Sequence, residues 1–306
     1  MDKKMIKDKL LNSRYRVLKV LGEGGMSTVY LAENIKLGSL WAIKKINKSS
    51  NSKFDLLAEP NILKRLNHPA LPRIFDIIED DKNIYIIEDY IEGIPLNKKL
   101  LRCGKIAEET VSMWALQICD VLSYLHSLKP NPIIYRDMKP SNIILTDEGL
   151  VKLIDFGIAR EYKTESLLDT TYIGTRGYAA PEQYGTAQTD IRSDVYSLGV
   201  TLYHLLTGNS PKELNFEIEP IREIDNSLSK RMEFIIEKCT KTDPVQRYQS
   251  VEELYYDLQN LNKKPNNHSK KSIVKKLKVI SMVILVLFFS YMTYAGFREI
   301  IEFFKH

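Results

Sequence analysis

The chain has 306 residues, of which 44% are hydrophobic and 27% are charged, and this composition excludes a chain that is disordered throughout. Its three cysteines are too few and too widely spaced for a disulfide framework or a zinc cluster, which favours a reducing compartment. The net charge of +5 arises from one short segment, because residues 262–278 contain seven lysines and no acidic residue. The rest of the chain is mildly acidic, and we expect no nucleic-acid partner.

Five stretches near the N-terminus have the apolar patterning of β-strands, either alternating or continuous. They are residues 17–22, 27–33, 40–46, 73–78 and 84–89. Farther along, apolar residues recur at helical spacing in two long segments, 111–125 and 195–206. This order predicts an α+β chain with a small β-rich N-terminal lobe, a larger helical C-terminal lobe and a cleft between them.

Two short motifs in the middle of the chain combine carboxylates with an amide and a lysine. The first is Tyr135-Arg136-Asp137-Met138-Lys139-Pro140-Ser141-Asn142, and the second, thirteen residues past Asn142, is Asp155-Phe156-Gly157. Groups spaced in this way can orient a hydroxyl, hold Mg²⁺ and neutralise a moving phosphoryl group. The two motifs together predict a phosphotransferase site.

Three further motifs accompany these two in a fixed order. They are the glycine-rich run 21–30, the run Trp41-Ala42-Ile43-Lys44, and Ala180-Pro181-Glu182. Order, spacing and residue types match the protein-kinase set. From about residue 15 to residue 261, the chain resembles the bacterial eukaryotic-like Ser/Thr protein kinases. The resemblance implies a two-lobed protein-kinase fold that transfers the γ-phosphoryl group of ATP to Ser or Thr hydroxyls of proteins, itself included, with Mg²⁺ or alternatively Mn²⁺.

The glycine-rich run is expected to cover the phosphates of ATP. Without Cβ atoms, its glycines let the backbone lie against a triphosphate and donate N–H bonds to it, although Ser27 occupies the third glycine position of the usual pattern. Such a run alone is weak support, since hairpins also use glycine. The ATP-binding residues implied here are Leu21, Gly22, Glu23, Gly24, Gly25, Met26, Ser27 and Val29.

Lys44 lies in a predicted strand, where a half-buried ammonium needs anionic partners. The resemblance implies the α- and β-phosphates of ATP and a helix carboxylate, for which Glu59 has the family spacing. Asp55 is the alternative, because Pro60 is tolerated only in the first turn of a helix.

The resemblance implies that adenine binds backbone groups at Asp89 and Ile91, in the segment 88–93 that connects the two lobes. Glu88, next to them, occupies the gatekeeper position, which is usually apolar in the family.

The resemblance also assigns roles to the catalytic motifs. Asp137 is expected to accept the substrate hydroxyl proton as the base, and Lys139 to balance the charge of the γ-phosphate. Asn142 and Asp155 are expected to hold the metal through oxygen ligands. Lys139 together with Thr175 favours Ser/Thr over Tyr substrates.

Four residues of the family pattern are expected to be structural. Tyr135 replaces the common histidine and is predicted to support the catalytic loop. Asp194 is predicted to support the same loop by binding its backbone. Glu182 is predicted to pair with Arg247. A buried ion pair of this kind fixes geometry more than it adds stability.

Residues 279–297 contain no charged side chain over nineteen positions. As a helix they would extend roughly 28 Å, close to the hydrocarbon core of a bilayer. The alternative, a buried C-terminal helix packed on the kinase domain, should leave a polar face that this segment lacks. We therefore predict a kinase domain at 15–261, a lysine-rich linker at 262–278 and a single transmembrane helix at 279–297. A short extracytoplasmic tail at 298–306 is expected in place of an extracellular sensor domain.

The lysines before the span place the kinase domain in the cytoplasm, at the cell membrane. ATP, protein substrates and the lipid bilayer are the expected partners, and a dimer is left open. Two other functions share parts of the pattern. A pseudokinase scaffold is expected to have lost one of Lys44, Asp137, Asn142 or Asp155, all of which are present. A small-molecule kinase of related fold would generally lack the Ala180-Pro181-Glu182 segment and the later helices.

Overall fold

The computed structural model describes residues 10–23, 27–48, 58–156, 160–161, 175–184, 188–211 and 218–261. Within these ranges, the side chains of Ala58, Glu59, Arg160 and Glu161 are not described. The described residues belong to the first of two units into which the chain divides, Met1–Leu261.

The N-terminal part is an antiparallel sheet of six strands in the order β1-β2-β3-β4-β6-β5. The strands are β1 (Leu10–Leu11), β2 (Tyr15–Glu23), β3 (Ser27–Asn34), β4 (Leu40–Asn47), β5 (Ile74–Glu79) and β6 (Asn83–Asp89). All five predicted strands are confirmed to within two residues at each end, and β1 is an addition. A short helix, α1 (Ala58–Leu63), lies between β4 and β5 in the chain.

Alternation along the strands divides this sheet into two apolar faces. On one face, Ile43, Tyr85 and Ile87 pack with Tyr15 and Ala32. On the other face lies a second cluster formed by Ile46, Ile84 and Ile86. The second face also carries Lys44, since it is two positions before Ile46, and this alternation directs Lys44 toward the cleft side of the sheet.

Helices dominate the C-terminal part. They are α2 (Leu96–Cys103), α3 (Glu108–Ser127), α4 (Ile191–Thr207), α5 (Ile221–Ile224), α6 (Lys230–Cys239) and α7 (Val251–Gln259). The two predicted helical segments are confirmed as α3 and α4, and most of the apolar residues of both are buried in one large core. The predicted α+β arrangement of a β-rich lobe followed by a helical lobe is therefore confirmed.

Helix α4 is the central element of this core, with thirteen of its seventeen residues buried. It begins with a capping box, in which the Asp190 carboxylate accepts from the backbone N–H of Ser193 and the Ser193 hydroxyl accepts from the backbone N–H of Asp190. It ends at Gly208, whose φ of 78° is the left-handed conformation that glycine adopts without strain. A fixed start of α4 matters for the site, because Asp194 lies in its first turn.

Two small sheets carry the segments between α3 and α4. The first has the order β10-β9-β7, from Val151–Leu153 (β10), Ile143–Leu145 (β9) and Ile94–Pro95 (β7). The second pairs Ile133–Ile134 (β8) with Arg160–Glu161 (β11). The first predicted phosphotransferase motif connects β8 to β9, and Asp155 follows β10, so these short strands bring the two motifs together.

In the part of the chain that the structure describes, no helix combines the length and apolar character that crossing a bilayer requires. The predicted span at 279–297 lies outside the described residues, as do the linker at 262–278 and the tail at 298–306.

Candidate active site

Asp137 lies at the centre of a cluster of hydrogen-bond donors. Lys139 Nζ donates to its Oδ2 at 2.6 Å, and Asn142 Nδ2 donates to the same oxygen at 2.8 Å. Thr175 Oγ1 donates to Oδ1 at 2.8 Å. The side chains of Asp137 and Lys139 are 12% and 19% exposed, so the carboxylate has a fixed orientation and still reaches the surface of the cleft. The structure thus brings together all three catalytic-loop residues that the sequence predicted.

The loop that carries Asp137 is held from behind by Asp194. This carboxylate is fully buried and accepts hydrogen bonds from the backbone N–H groups of Tyr135 at 2.9 Å and Arg136 at 2.7 Å. His126 Nε2 lies 2.9 Å from the same carboxylate. The predicted support of the loop by Asp194 is confirmed.

Arg136, directly before the catalytic aspartate, has a φ of 70°, which is rare for a residue with a side chain. Such backbone strain persists only where surrounding contacts impose it. Here the N–H of Arg136 binds Asp194, its carbonyl accepts from Gln183 Nε2 at 2.9 Å, and its guanidinium donates to Thr189 at 2.7 Å. These contacts fix the direction in which the next side chain, Asp137, leaves the backbone.

Tyr135 connects the two catalytic motifs. Its hydroxyl donates to the carbonyl of Ile154 at 2.6 Å, and its ring meets that of Phe156 edge to face at 5.1 Å. Burial raises the pKa of the Tyr135 phenol well above its usual value, so the hydroxyl keeps its proton and acts as a donor. Ile154 and Phe156, on either side of Asp155, therefore both contact Tyr135 of the catalytic loop. This confirms the predicted supporting role of Tyr135.

Lys44 reaches across the cleft to Asp155. Their Nζ and Oδ1 atoms are 2.7 Å apart, and the lysine side chain is 8% exposed while that of Asp155 is 46% exposed. Asp155 has a φ of 66°, a second residue with unusual backbone geometry at the site. The pair joins the N-terminal sheet to the catalytic segment, 111 positions later in the chain.

The structure adds a partner of Lys44 that the sequence did not predict. The predicted partner was a carboxylate of a helix, Glu59 or alternatively Asp55, and Asp155 was predicted only as a metal ligand. Glu59 does lie in α1, but its side chain is not described, and residue 55 falls outside the described ranges. The pairing of Lys44 with Glu59 stays a prediction, and the carboxylate that the structure places against Lys44 is that of Asp155.

Asn142 and Asp155 lie next to each other at the ends of β9 and β10. The N–H of Ile154 donates to the carbonyl of Asn142 at 2.9 Å. The Asn142 amide nitrogen is engaged by the carbonyl and carboxylate of Asp137, which directs its oxygen away from Asp137. Among the described residues, no group of three or more His, Cys, Asp or Glu could hold a metal. Two oxygen ligands suit Mg²⁺, which commonly binds one or two protein groups together with substrate phosphates.

The predicted phosphate-covering loop is described in part. Leu21, Gly22 and Glu23 end β2, while Ser27 and Val29 belong to β3, and Gly22 pairs with Val29. Gly24, Gly25 and Met26 lie outside the described residues. A Cβ placed on Gly22 would meet no atom of the described residues within 4 Å, so packing against them does not require glycine there. Close approach of a ligand to the backbone explains this glycine better.

The predicted adenine-binding segment begins at the end of β6. The N–H of Asp89 donates to the carbonyl of Arg73 at 3.0 Å, and the Arg73 guanidinium binds the Asp89 carboxylate at 2.9 Å. These contacts anchor the start of the segment to the residue before β5. Ile91 follows two positions later and is half-buried.

Glu182 and Arg247 form a buried ion pair behind the site. The guanidinium makes two contacts with the carboxylate, at 2.7 and 2.9 Å, and the two side chains are 6% and 0% exposed. Ser193 Oγ adds a third donor to Glu182 at 2.7 Å, which links the pair to the start of α4. The predicted pairing is confirmed.

Three residues in the site were not predicted in their observed roles. The hydroxyl of Thr175 contacts Asp137, although the sequence singled it out only as a sign of substrate class. His126 contacts the carboxylate of Asp194, and Gln183 donates to the backbone carbonyl of Arg136 in the loop. One signal in the sequence could have indicated His126: it is a polar residue at a position where the helical period predicts burial.

The comparisons with known proteins agree with this geometry. The profile of the protein kinase domain matches residues 15–259. The chain is 32% identical, over 84% of its length, to a Clostridium perfringens protein described as a probable serine/threonine-protein kinase. It is 32% identical to the serine/threonine-protein kinase PrkC of Bacillus subtilis over 83% of its length, and 30% identical to the probable serine/threonine-protein kinase PknB of Lactococcus lactis over 82%.

The aligned regions make up 40%, 41% and 42% of the lengths of these three relatives, so the chain spans about two fifths of each. The residues that match the protein kinase profile, 15–259, include the glycine-rich strands, Lys44, the catalytic loop and the Glu182–Arg247 pair. The site geometry and these similarities show that the chain belongs to the protein kinase family, among the bacterial eukaryotic-like Ser/Thr kinases.

Proposed function

We propose that the chain transfers the γ-phosphoryl group of Mg-ATP to Ser or Thr hydroxyls of proteins, its own included. The observation that carries the proposal is the cluster around Asp137, in which a lysine, an amide and a threonine hydroxyl orient one carboxylate at the edge of a cleft. The relatives are described as Ser/Thr kinases, in agreement with this activity.

Each residue of the cluster has a distinct part in such a reaction. Asp137 accepts a hydrogen bond from the substrate hydroxyl and receives its proton, while Lys139, 2.6 Å away, balances negative charge at the transferred group. Asn142 and Asp155 supply oxygen ligands for the metal, and Lys44 neutralises phosphate charge from the opposite side of the cleft. Mg-ATP supplies the phosphoryl group. Catalysis then rests on positioning and electrostatics, which suits a cluster of side chains held by hydrogen bonds.

The alternatives account for less of the site. A pseudokinase scaffold would not need Lys44, Asp137, Asn142 and Asp155 to be kept together in one connected set. A small-molecule kinase would not need the segment around Glu182, which here is tied by Arg247 to the later helices. Both alternatives predict no transfer of phosphate to a protein hydroxyl.

Substitution of the proposed base and metal ligand tests the activity. Asp137→Asn and Asp155→Asn should each lower the rate of phosphate transfer from Mg-ATP to protein Ser or Thr by roughly 100-fold or more, because each removes a group that acts in the transition state. The measurement is radiolabel transfer with mass spectrometry of the modified residues. Asp147→Asn, an exposed carboxyl in the turn after β9, is the matched control and should retain the activity.

Labelling of the two variants as fast as the wild type, with melting curves that show all proteins folded, would contradict the proposed mechanism. Labelling that is absent in the wild type would favour the pseudokinase.

We also propose that the protein is anchored in the cell membrane by a single helix, with the kinase domain in the cytoplasm. The support is the nineteen-residue stretch 279–297 without charge and the seven lysines immediately before it. The linker lysines would add attraction to anionic lipid at about 1 kcal/mol each near the surface. Whether the chain forms a dimer stays an open prediction.

A further inference from the structure

Glu88 lies on the face of the N-terminal sheet that looks onto the cleft. β4 and β6 pair in an antiparallel register that places Ala42 opposite Glu88. Residues two apart on a strand share a face, so Ala42, Lys44 and Glu88 point to the same side of the sheet. Lys44 contacts Asp155 at 2.7 Å, and this contact identifies that side as the cleft.

The neighbours of Glu88 on this face are mostly apolar. Directly across from it are Ala42 on β4 and Ile74 on β5, neither of which has a polar side-chain group. Ile86, two residues earlier on the same face, is fully buried, and Glu88 itself is half-buried. A carboxylate in such surroundings requires hydrogen-bond donors to offset the loss of water. Lys44 is its diagonal neighbour across the two strands, about 7–8 Å away in backbone distance, and is one cationic group within reach.

A nucleotide in the cleft would bring a further donor. Asp89, the next residue, begins the segment expected to bind the base through backbone groups. A backbone carbonyl there would accept from the amino group at position 6 of adenine, and position 6 would then lie near Glu88. Adenine carries an amino group there, which donates hydrogen bonds. Guanine and hypoxanthine carry a carbonyl oxygen at this position, and a carboxylate repels it. The side chain of Glu88 therefore distinguishes the two kinds of purine by charge and by hydrogen-bond direction.

We propose that Glu88 accepts a hydrogen bond from the exocyclic amino group of adenine and thereby selects ATP over 6-oxopurine nucleotides. The inference rests on the proposed function, since it requires a nucleotide whose base lies beside Asp89 and Ile91. It adds a side-chain contact to the backbone contacts of that segment. It also gives a role to a charged residue at a position where the family usually has an apolar one.

The test compares equilibrium binding of ATP and inosine triphosphate to the full chain by isothermal titration calorimetry with Mg²⁺. The two nucleotides share ribose and triphosphate and differ at position 6 and at the neighbouring ring nitrogen. In Glu88→Gln the amide can donate to a carbonyl as well as accept from an amino group. We expect the ratio of ATP to inosine triphosphate affinity to fall roughly tenfold or more, as for loss of one charged hydrogen bond. Glu92→Gln removes the same charge from an exposed position nearby and should leave the ratio unchanged.

An unchanged ratio in Glu88→Gln, with ATP still bound, would overturn the inference and leave the proposed function standing. Wild-type protein that binds neither nucleotide would overturn the proposed function and the inference with it. Glu88→Met provides a second variant if Glu88→Gln does not fold, because methionine has a similar volume and no strong acceptor. It should also lower the ratio, and a ratio equal to that of the wild type would again reject the role of Glu88.

Discussion

Thr175 Oγ1 lies between the two charged side chains of the catalytic loop. It donates to Asp137 Oδ1 at 2.8 Å and accepts from Lys139 Nζ at 2.6 Å. Lys139 also contacts Asp137 Oδ2 at 2.6 Å, which closes a ring of three hydrogen bonds. In such a ring each bond restrains the other two, so the hydroxyl of Thr175 holds the carboxylate in one orientation.

Removal of this hydroxyl should slow the reaction without abolishing it. Thr175→Val keeps the shape of the side chain and loses a hydrogen bond to a charged group, which is worth about 1.5–3 kcal/mol. If most of that energy is lost in the transition state, kcat falls roughly tenfold to 100-fold and KM for the protein substrate changes less. Steady-state kinetics of protein phosphorylation measure both constants.

Thr175→Ser is the control for this prediction, because it restores the hydroxyl and removes only a methyl group. We expect it to recover most of the rate. Equal rates for Thr175→Val and the wild type would show that Lys139 and Asn142 alone are enough to orient Asp137.

At the scale of single residues, sequence predicted the identity of the reactive side chains better than their contacts. Asp137, Lys139 and Asn142 lie within eight positions in one motif, so their proximity follows from local spacing. Lys44 and Asp155 are 111 positions apart, and their contact depends on how the sheet faces the helical part. The position of Lys44 in a strand indicates that its ammonium needs an anionic partner. Periodicity and spacing do not indicate which carboxylate the fold brings into contact with it.

The Glu182–Arg247 pair joins elements that are distant in the chain. Glu182 lies in the 3-10 turn Pro181–Tyr184, and Arg247 follows the 3-10 turn Pro244–Gln246. The guanidinium also donates to the backbone carbonyls of Lys241, Thr242 and Arg192. One buried arginine thereby connects the segment after the catalytic loop with α4 and with the segment that follows α6.

Loss of one partner should destabilise the fold strongly. Glu182→Leu leaves the Arg247 charge buried without its carboxylate, and such changes cost about 3–5 kcal/mol. Chemical denaturation followed by circular dichroism gives the free energy of unfolding. The surface pair Lys241–Glu237 has the same 2.7 Å distance but side chains that are 39% and 64% exposed. Lys241→Met should therefore cost less than about 1 kcal/mol.

A double variant separates the pair from its surroundings. If Glu182→Leu combined with Arg247→Met costs less than the sum of the two single changes, the single changes mainly expose an uncompensated buried charge. Costs that simply add would mean that the two side chains act independently, against the geometry described above.

At the scale of elements, long periodic segments were predicted and short ones were not. The five strands of the N-terminal sheet and helices α3 and α4 have apolar patterns that extend over six residues or more. Strands β7 and β8 have two residues each, too few for any period to show. Tertiary contacts determine their pairing, of β7 with β9 and of β8 with β11. The pairing of the three-residue strands β9 and β10 then places the end of the catalytic motif beside Asp155.

For the whole molecule, the membrane anchor is the prediction with the clearest biochemical consequence. A chain held at the membrane only by its linker lysines should be released by high salt, because salt screens surface charges. A chain that spans the bilayer should resist salt and carbonate and require detergent. Fractionation of cells that express the full chain, followed by immunoblotting, distinguishes the two.

A chain that ends at Asn262 is the matched control and should be found in the soluble fraction. Release of the full chain by salt alone would contradict the transmembrane helix. Retention of the shortened chain in the membrane fraction would place the anchor elsewhere.

The position of Asp194 has a consequence for how the protein becomes active during its synthesis. The carboxylate that binds the N–H of Arg136 lies 58 positions later in the chain. At about 5–20 residues per second, the ribosome needs several seconds to make that stretch. Until Asp194 is made, the N–H of Arg136 lacks this acceptor, so we expect the catalytic loop to reach its observed conformation only after the start of α4 has been synthesised.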